Sequence, residues 1–79
     1  MHEQIPDTAP GPYFVSVVEH DKTYLMAGPY PTHEEALANV EKALHVAYEH
    51  DGRAWFMAWG TVRIEGSKRV GRLTELGLI

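Results

Sequence analysis

Five histidines, one pair of adjacent glutamates and a scatter of serines and glycines are the residues of this 79-residue chain that could do chemistry. His45 and His50 are five apart, roughly 140° around a helix, so their rings do not converge on one metal ion. His33 falls in the first turn of an expected helix and His20 in an expected hairpin. These histidines read as solvated side chains, with His45 spaced to pair with Glu41 or Glu49 along one helix face. Ser16 sits mid-strand, and neither it nor Ser67 has the motif context of a nucleophile. The glycines occur singly and build no phosphate-binding loop. Glu34 and Glu35 have a sufficient role as helix-start residues. No catalytic, metal or cofactor site is expected, and the chain reads as a binding protein, not an enzyme.

Length and composition narrow the possibilities further. Seventy-nine residues with 44% hydrophobic content make one domain near the lower size limit for a single core without staples. Cysteine is absent, which excludes disulfides and thiolate metal sites. The first residues carry neither a basic segment nor an apolar one of signal type, and no apolar run approaches the roughly 20 residues that cross a bilayer. An intracellular protein is expected. The net charge of −4 is unevenly spread: residues 1–60 hold nine acids against Lys22, Lys42 and Arg53, whereas residues 61–79 hold Arg63, Lys68, Arg69 and Arg72 against Glu65 and Glu75. An acidic body favours a basic protein surface over nucleic acid as partner, and the short basic tail keeps nucleic acid as an alternative.

The elements that must position these residues follow from local pattern. Residues 1–12, with Pro6, Pro10, Gly11 and Pro12, read as a flexible N-terminal arm ahead of a single domain over 13–79. Tyr13 to Glu19 is β-branched and aromatic and predicts a strand. A turn at His20, Asp21 and Lys22 leads into a second, antiparallel strand over Thr23 to Ala27, which Gly28-Pro29-Tyr30-Pro31 should stop. Thr32 followed by Glu35 is a capping-box signature for a helix reaching about Asp51. Ala36, Leu37, Val40, Ala43, Leu44, Ala47 and Tyr48 form its apolar stripe. Ala54 to Ile64 predicts a third strand. The fold class expected is α+β, a three- or four-stranded antiparallel sheet with one helix on one face in the order β-β-α-β. Residues 66–79 are open between a terminal strand, a helical turn around Leu73 to Leu76, and an arm.

Two surfaces then become candidates for partner binding. Small residues at Ala58 and Gly60 suggest that Phe56, Ala58, Gly60, Val62 and Ile64 face the helix, which turns Trp55, Met57 and Trp59 to the uncovered side of the sheet. Three coverings are open for that face: the C-terminal segment, a second copy of the chain in a homodimer, or a different protein. The helix's outer face carries Glu34, Glu41, His45 and Glu49 with Val46 beside them. It is either a solvated face or an acidic strip that competes for a basic groove, with Val46 as an exposed apolar contact.

The series Tyr13-x-Val15-Ser16-Val17, Ala27-Gly28-Pro29-Tyr30-x-Thr32-His33-Glu34-Glu35-Ala36-Leu37 and Arg53-Ala54-Trp55-Phe56-x-Ala58-Trp59-Gly60-Thr61-x-Arg63 resembles a group of short open reading frames of tailed phages and prophages with no assigned activity. The resemblance spans residues 13–64 and implies a phage context, with the bacterial host cytoplasm as location. Small acidic phage proteins of this kind resemble anti-CRISPR and other anti-defence proteins, which inhibit a host complex by occupying its surface. The alternatives are a homodimeric structural or assembly protein of a phage and a small nucleic-acid-binding module. Gly28 to Ala36 is also similar to one half of a SPOR domain, which would imply peptidoglycan binding; SPOR domains repeat the βαβ unit, and this chain has it once.

Overall fold

Strand β1, Tyr13–Glu19, takes the centre of the sheet, as its run of β-branched and aromatic residues requires: Tyr13 through Val17 are all buried. The computed structural model describes residues 9–79. Strand β2 (Lys22–Tyr30) and strand β3 (Ala58–Arg63) flank β1 in the order β2-β1-β3, both antiparallel to it. The β1–β2 link is the pair His20 and Asp21, with His20 at a left-handed φ of 58°. With the helices described next, the fold is α+β with an open three-stranded antiparallel sheet.

Strand β2 runs further than the sequence suggests. Tyr30 pairs with Tyr13 beyond the Gly28-Pro29 step, and the register shifts twice between Tyr13 and Ser16. An edge strand tolerates proline, and Gly28 takes up the irregularity at φ 121°, where a Cβ would lie 2.9 Å from Phe14 Cδ1 and from the Tyr13 carbonyl oxygen.

The expected single helix is two. Thr32 caps helix α1 (His33–Ala38), its hydroxyl accepting from the Glu35 N–H at 3.2 Å. At Asn39 the chain leaves helical register, and α2 follows over Val40–His50. Asn39 itself causes the break: its side-chain amide donates to the Glu35 carbonyl at 2.8 Å, and its backbone N–H is drawn to Ala36 O, tightening the last turn of α1. Consequently α1 spans all three strands, whereas α2 lies against β3 and the segment that precedes it.

That segment, Gly52–Phe56, is a 3-10 turn and not the start of β3. Asp51 begins it by accepting from the Arg53 N–H at 3.0 Å. The face assignment of β3 is also reversed. Trp59 lies opposite Val17 and Thr61 opposite Val15, so these residues share the helix side of the sheet, while Ala58, Gly60 and Val62 share the other side with Val18, Ser16 and Phe14. The physical reason is complementarity of size: the helices approach with alanines, Ala43 and Ala47, and the sheet answers with the large Trp59.

The core cluster is Val15, Ala27, Ala43, Ala47, Ala54 and Leu73, with Met26, Val46 and Trp59 packed on it. Leu73 arrives on a short helix, α3 (Arg72–Glu75), which realises the helical-turn alternative for the C-terminal segment. Gly71 brings α3 against β2: its N–H donates to Gly28 O at 3.0 Å, and the Gly28 N–H donates to Thr74 Oγ1 at 3.1 Å. Of the expected N-terminal arm, residues 1–8 lie outside the described residues. Residues 9–12 are fastened to the sheet: Gly11 N–H to Pro31 O, Ile64 N–H to Pro12 O, and the Tyr13 hydroxyl to Ala9 O at 2.7 Å.

Candidate partner-binding surface

The outer face of α2 is built by four-residue spacing. Glu41, His45 and Glu49 follow one another along it, all exposed, with His45 Nε2 3.6 Å from a Glu41 carboxylate oxygen. Glu34 is exposed too, but it stands on α1, across the Asn39 break, and does not continue this strip on one helix. Val46 is not the exposed contact expected of it; it is half-buried against the core cluster.

At the C-terminal end of α2 the 3-10 turn adds aromatic surface. Asp51 and Arg53 fix this corner with a forked ion pair, Nη2 to Oδ2 at 2.8 Å and Nε to the two carboxylate oxygens at 3.1 and 3.2 Å. The hydrogen bonds from Arg53 hold the Asp51 carboxyl below its ordinary range, and Asp51 in turn raises the guanidinium. Trp55 leaves the turn toward α2, where its ring meets Tyr48 edge-on at 5.6 Å between centroids and tilts against His45 at 6.2 Å. Tyr48 is 49% exposed, Trp55 54% and Phe56 89%. Tyr48 and Trp55 thus form an exposed aromatic pair on the face of α2 that carries Glu41, His45 and Glu49, with Trp55 against His45 and Phe56 exposed next to it in the chain.

Trp55, Met57 and Trp59 do not share a surface. Trp59 is half-buried against the core cluster and lines the cleft behind the turn, and its indole N–H donates to Ala54 O at 2.8 Å. Met57 is half-buried and faces a cleft behind the turn. A homodimer interface made of all three has no basis in this geometry. Conversely, Tyr48 and Phe56, assigned from the sequence to inner faces, are outer residues. The signal that could have found them is Asp51-Gly52: an Asx turn placed after a helix end delays the strand and changes which aromatic faces out.

The cleft behind the turn is walled by β1, β2, the end of α2, the turn and α3, and measures about 470 Å³. A shallower groove of about 420 Å³ adjoins it along β2, sharing Tyr24 and Arg72. His33 is committed elsewhere: its ring stacks on Tyr13 at 5.1 Å, and Nε2 lies 2.8 Å from Thr61 Oγ1. Among the described residues no three His, Asp or Glu side chains gather as a metal site would require, and no helix is long and apolar enough to cross a membrane. In comparisons with known proteins the chain matches no family model, no curated protein and no solved structure.

Proposed function

We propose that the chain is a non-enzymatic protein-binding module that presents Glu41, Glu49, Tyr48, Trp55 and Phe56 to a basic protein surface. The observation that carries this reading is the contact of two exposed rings, Tyr48 and Trp55, beside exposed carboxylates of α2, with the exposed Phe56 next in the chain. Aromatic rings supply large, rigid contact area and attract arginine through their faces, while carboxylates steer a basic partner and reject an acidic one. Nothing in the fold needs Phe56 to be apolar, since it is almost wholly in water. Together with the resemblance to phage reading frames, this chemistry favours a host complex in the bacterial cytoplasm whose basic groove handles nucleic acid, such as a defence complex, inhibited by occupation of that groove.

The test is quantitative capture from bacterial host lysate by the wild type, by a Glu41→Lys/Glu49→Lys/Trp55→Ala variant and by Glu34→Lys, with mass spectrometry of what is retained. The expected outcome is a basic partner retained by the wild type and by Glu34→Lys but lost by the triple variant. Equal retention by the triple variant, with its fold intact by circular dichroism, refutes the reading.

A further inference from the structure

Strand β3 lies at an edge of the sheet, and the ladder it shares with β1 fixes where its backbone groups point. The register is uninterrupted from Tyr13 opposite Arg63 to Val18 opposite Ala58. One residue further on, the Ile64 N–H donates to Pro12 O at 3.2 Å, which makes Pro12 and Ile64 a bonded pair. Alternation along an antiparallel ladder then assigns Val62, Gly60 and Ala58 to the bonds with β1 and turns the N–H and C=O of Arg63, Thr61 and Trp59 outward. The hairpin agrees: Glu19 opposite Lys22 closes a two-residue turn, so the odd-numbered residues of β1 bond to β2. Among the described residues, no group donates to or accepts from those six outward groups of β3.

The two edges of the sheet differ. On β2 the Gly28 C=O accepts from Gly71, the Gly28 N–H donates to Thr74 Oγ1, and Pro29 has no N–H to offer. That edge is closed by α3. Strand β3 carries none of the usual guards of an open edge: it has no proline, no lysine and no bulge. Its single charge, Arg63, faces the helix side and is held back through Nε to Pro10 O at 2.6 Å.

The side chains of β3 say which strand fits it. Set antiparallel to itself about a two-fold axis at Thr61, the strand brings Thr61 opposite the second copy's Thr61 and Trp59 opposite the second copy's Arg63, twice. Every outward N–H then meets a C=O. The one charged side chain meets an aromatic ring instead of its like, and threonine opposite threonine is a favourable cross-strand pair. Gly60 falls opposite the second copy's Val62, and nothing lies within 4 Å of the position a Gly60 Cβ would take. Axes through Gly60 or Val62 would pair only two of the three outward residues within the strand.

We propose that β3 pairs with β3 of a second copy, antiparallel about a two-fold axis at Thr61, to make one six-stranded sheet. The contact uses backbone at the edge of the sheet, not the Trp55, Met57 and Trp59 side chains together. Because α3 closes the β2 edge of each copy, the assembly stops at two.

The test follows the whole chain by sedimentation from micromolar to millimolar concentration and by amide exchange at both ends of that range. Expected are a monomer–dimer equilibrium with no larger species, and protection of the Trp59, Thr61 and Arg63 amides that rises with concentration while Gly60 and Val62 stay protected throughout. Thr61→Pro removes an N–H that takes no part in the β1 ladder, and with it both central hydrogen bonds of the dimer; it should weaken dimerisation at least about tenfold. If Thr61→Pro fails to fold, the exchange pattern of the wild type decides alone. The chain has no cysteine, so single substitutions report the register. With oxidised glutathione, Thr61→Cys should form a disulfide dimer, its Cα atoms lying about 5.5 Å apart, and Val62→Cys should not, at roughly 8 Å. The proposal is overturned by a protein that stays monomeric at millimolar concentration, by growth beyond the dimer, by a folded Thr61→Pro protein that dimerises as the wild type does, by outward amides whose exchange ignores concentration, or by Val62→Cys crosslinking as readily as Thr61→Cys. A monomer whose outward amides are protected only by another protein would make the edge a site for a foreign strand.

Discussion

Replacing Gly71 by alanine adds one methyl group at the point where α3 meets the sheet. A Cβ there would lie 2.4 Å from both the N and the Cα of Ala27 and 2.6 Å from its carbonyl carbon. All three atoms are backbone of a strand already paired to β1, so no side chain can rotate out of the way. Reaching the 3.4 Å of ordinary contact requires α3 to retreat by about 1 Å. The retreat stretches the Gly71-to-Gly28 and Gly28-to-Thr74 hydrogen bonds, each worth about 1 kcal/mol net. It also unseats Leu73, which is 5% exposed and whose burial contributes about 1.5–3 kcal/mol. The expected loss is therefore about 3–5 kcal/mol, a large share of what a domain this small possesses. Urea unfolding followed by circular dichroism measures it, and faster amide exchange at Gly28 and at residue 71 locates it. Gly60→Ala is the control, since nothing lies within 4 Å of its Cβ position, and it should stay within about 1 kcal/mol of the wild type. A Gly71→Ala protein that loses less than about 1 kcal/mol would refute the claim that backbone contact with Ala27 seats α3.

Two further perturbations read the corner that carries the candidate surface. Trp59→Phe removes the donor to Ala54 O and part of a core side chain, which should cost about 2 kcal/mol; the remaining emission, from the half-exposed Trp55, should shift to longer wavelength and quench readily with acrylamide, and a blue shift would contradict the placement of the two indoles. Asp51→Asn keeps a capping oxygen for the Arg53 N–H but removes the charge. Because the folded state depresses the Asp51 carboxyl, chiefly through the Arg53 side-chain hydrogen bonds, its contribution is complete above the unfolded value of about 3.9 and fades as pH falls through the lower folded value. The urea midpoint of the wild type should drop more between pH 6 and pH 3 than that of Asp51→Asn, and parallel profiles would sink the assignment.

The parts of this fold that were legible in the sequence are those whose cause is local. Thr32 caps its helix because the hydroxyl and the Glu35 N–H are three residues apart, and no other part of the molecule is needed for that bond. The strand character of Tyr13–Glu19 likewise follows from side-chain type. Glu41, His45 and Glu49 share an outer face because helical spacing alone puts them there. What was not legible depended on competition or on partners distant in sequence. Asn39 falls between Leu37 and Val40 of an unbroken apolar stripe, yet its amide takes the Glu35 carbonyl and divides the helix. Small residues at Ala58 and Gly60 suggested a face for helix contact, but closeness is supplied by Ala43 and Ala47 on the helix side, which leaves room for Trp59 on the sheet. Gly71 gave no sign of its role because its contact, Ala27, is far away along the chain.

The 3-10 turn shows how a small local change relocates a site. Had β3 begun at Ala54, a period of two would have put Trp55, Met57 and Trp59 on one face and Phe56 on the other. The Asp51 cap instead winds Gly52–Phe56 at about three residues per turn, so residues three apart point the same way. Ala54 and Met57 both turn inward to line the cleft, and Trp55 and Phe56, between them, are left outside. Trp59, back in strand geometry, packs half-buried against the core cluster. One carboxylate at the end of α2 thus divides an apolar run into two environments: a cleft wall of Ala54, Met57 and the half-buried Trp59, and an exposed pair, Trp55 and Phe56. Trp55 lies near Glu49 because α2 ends where the turn begins, and it reaches the Glu41 end only through His45. The cleft wall and the exposed aromatics consequently both rest on the turn that Asp51 begins.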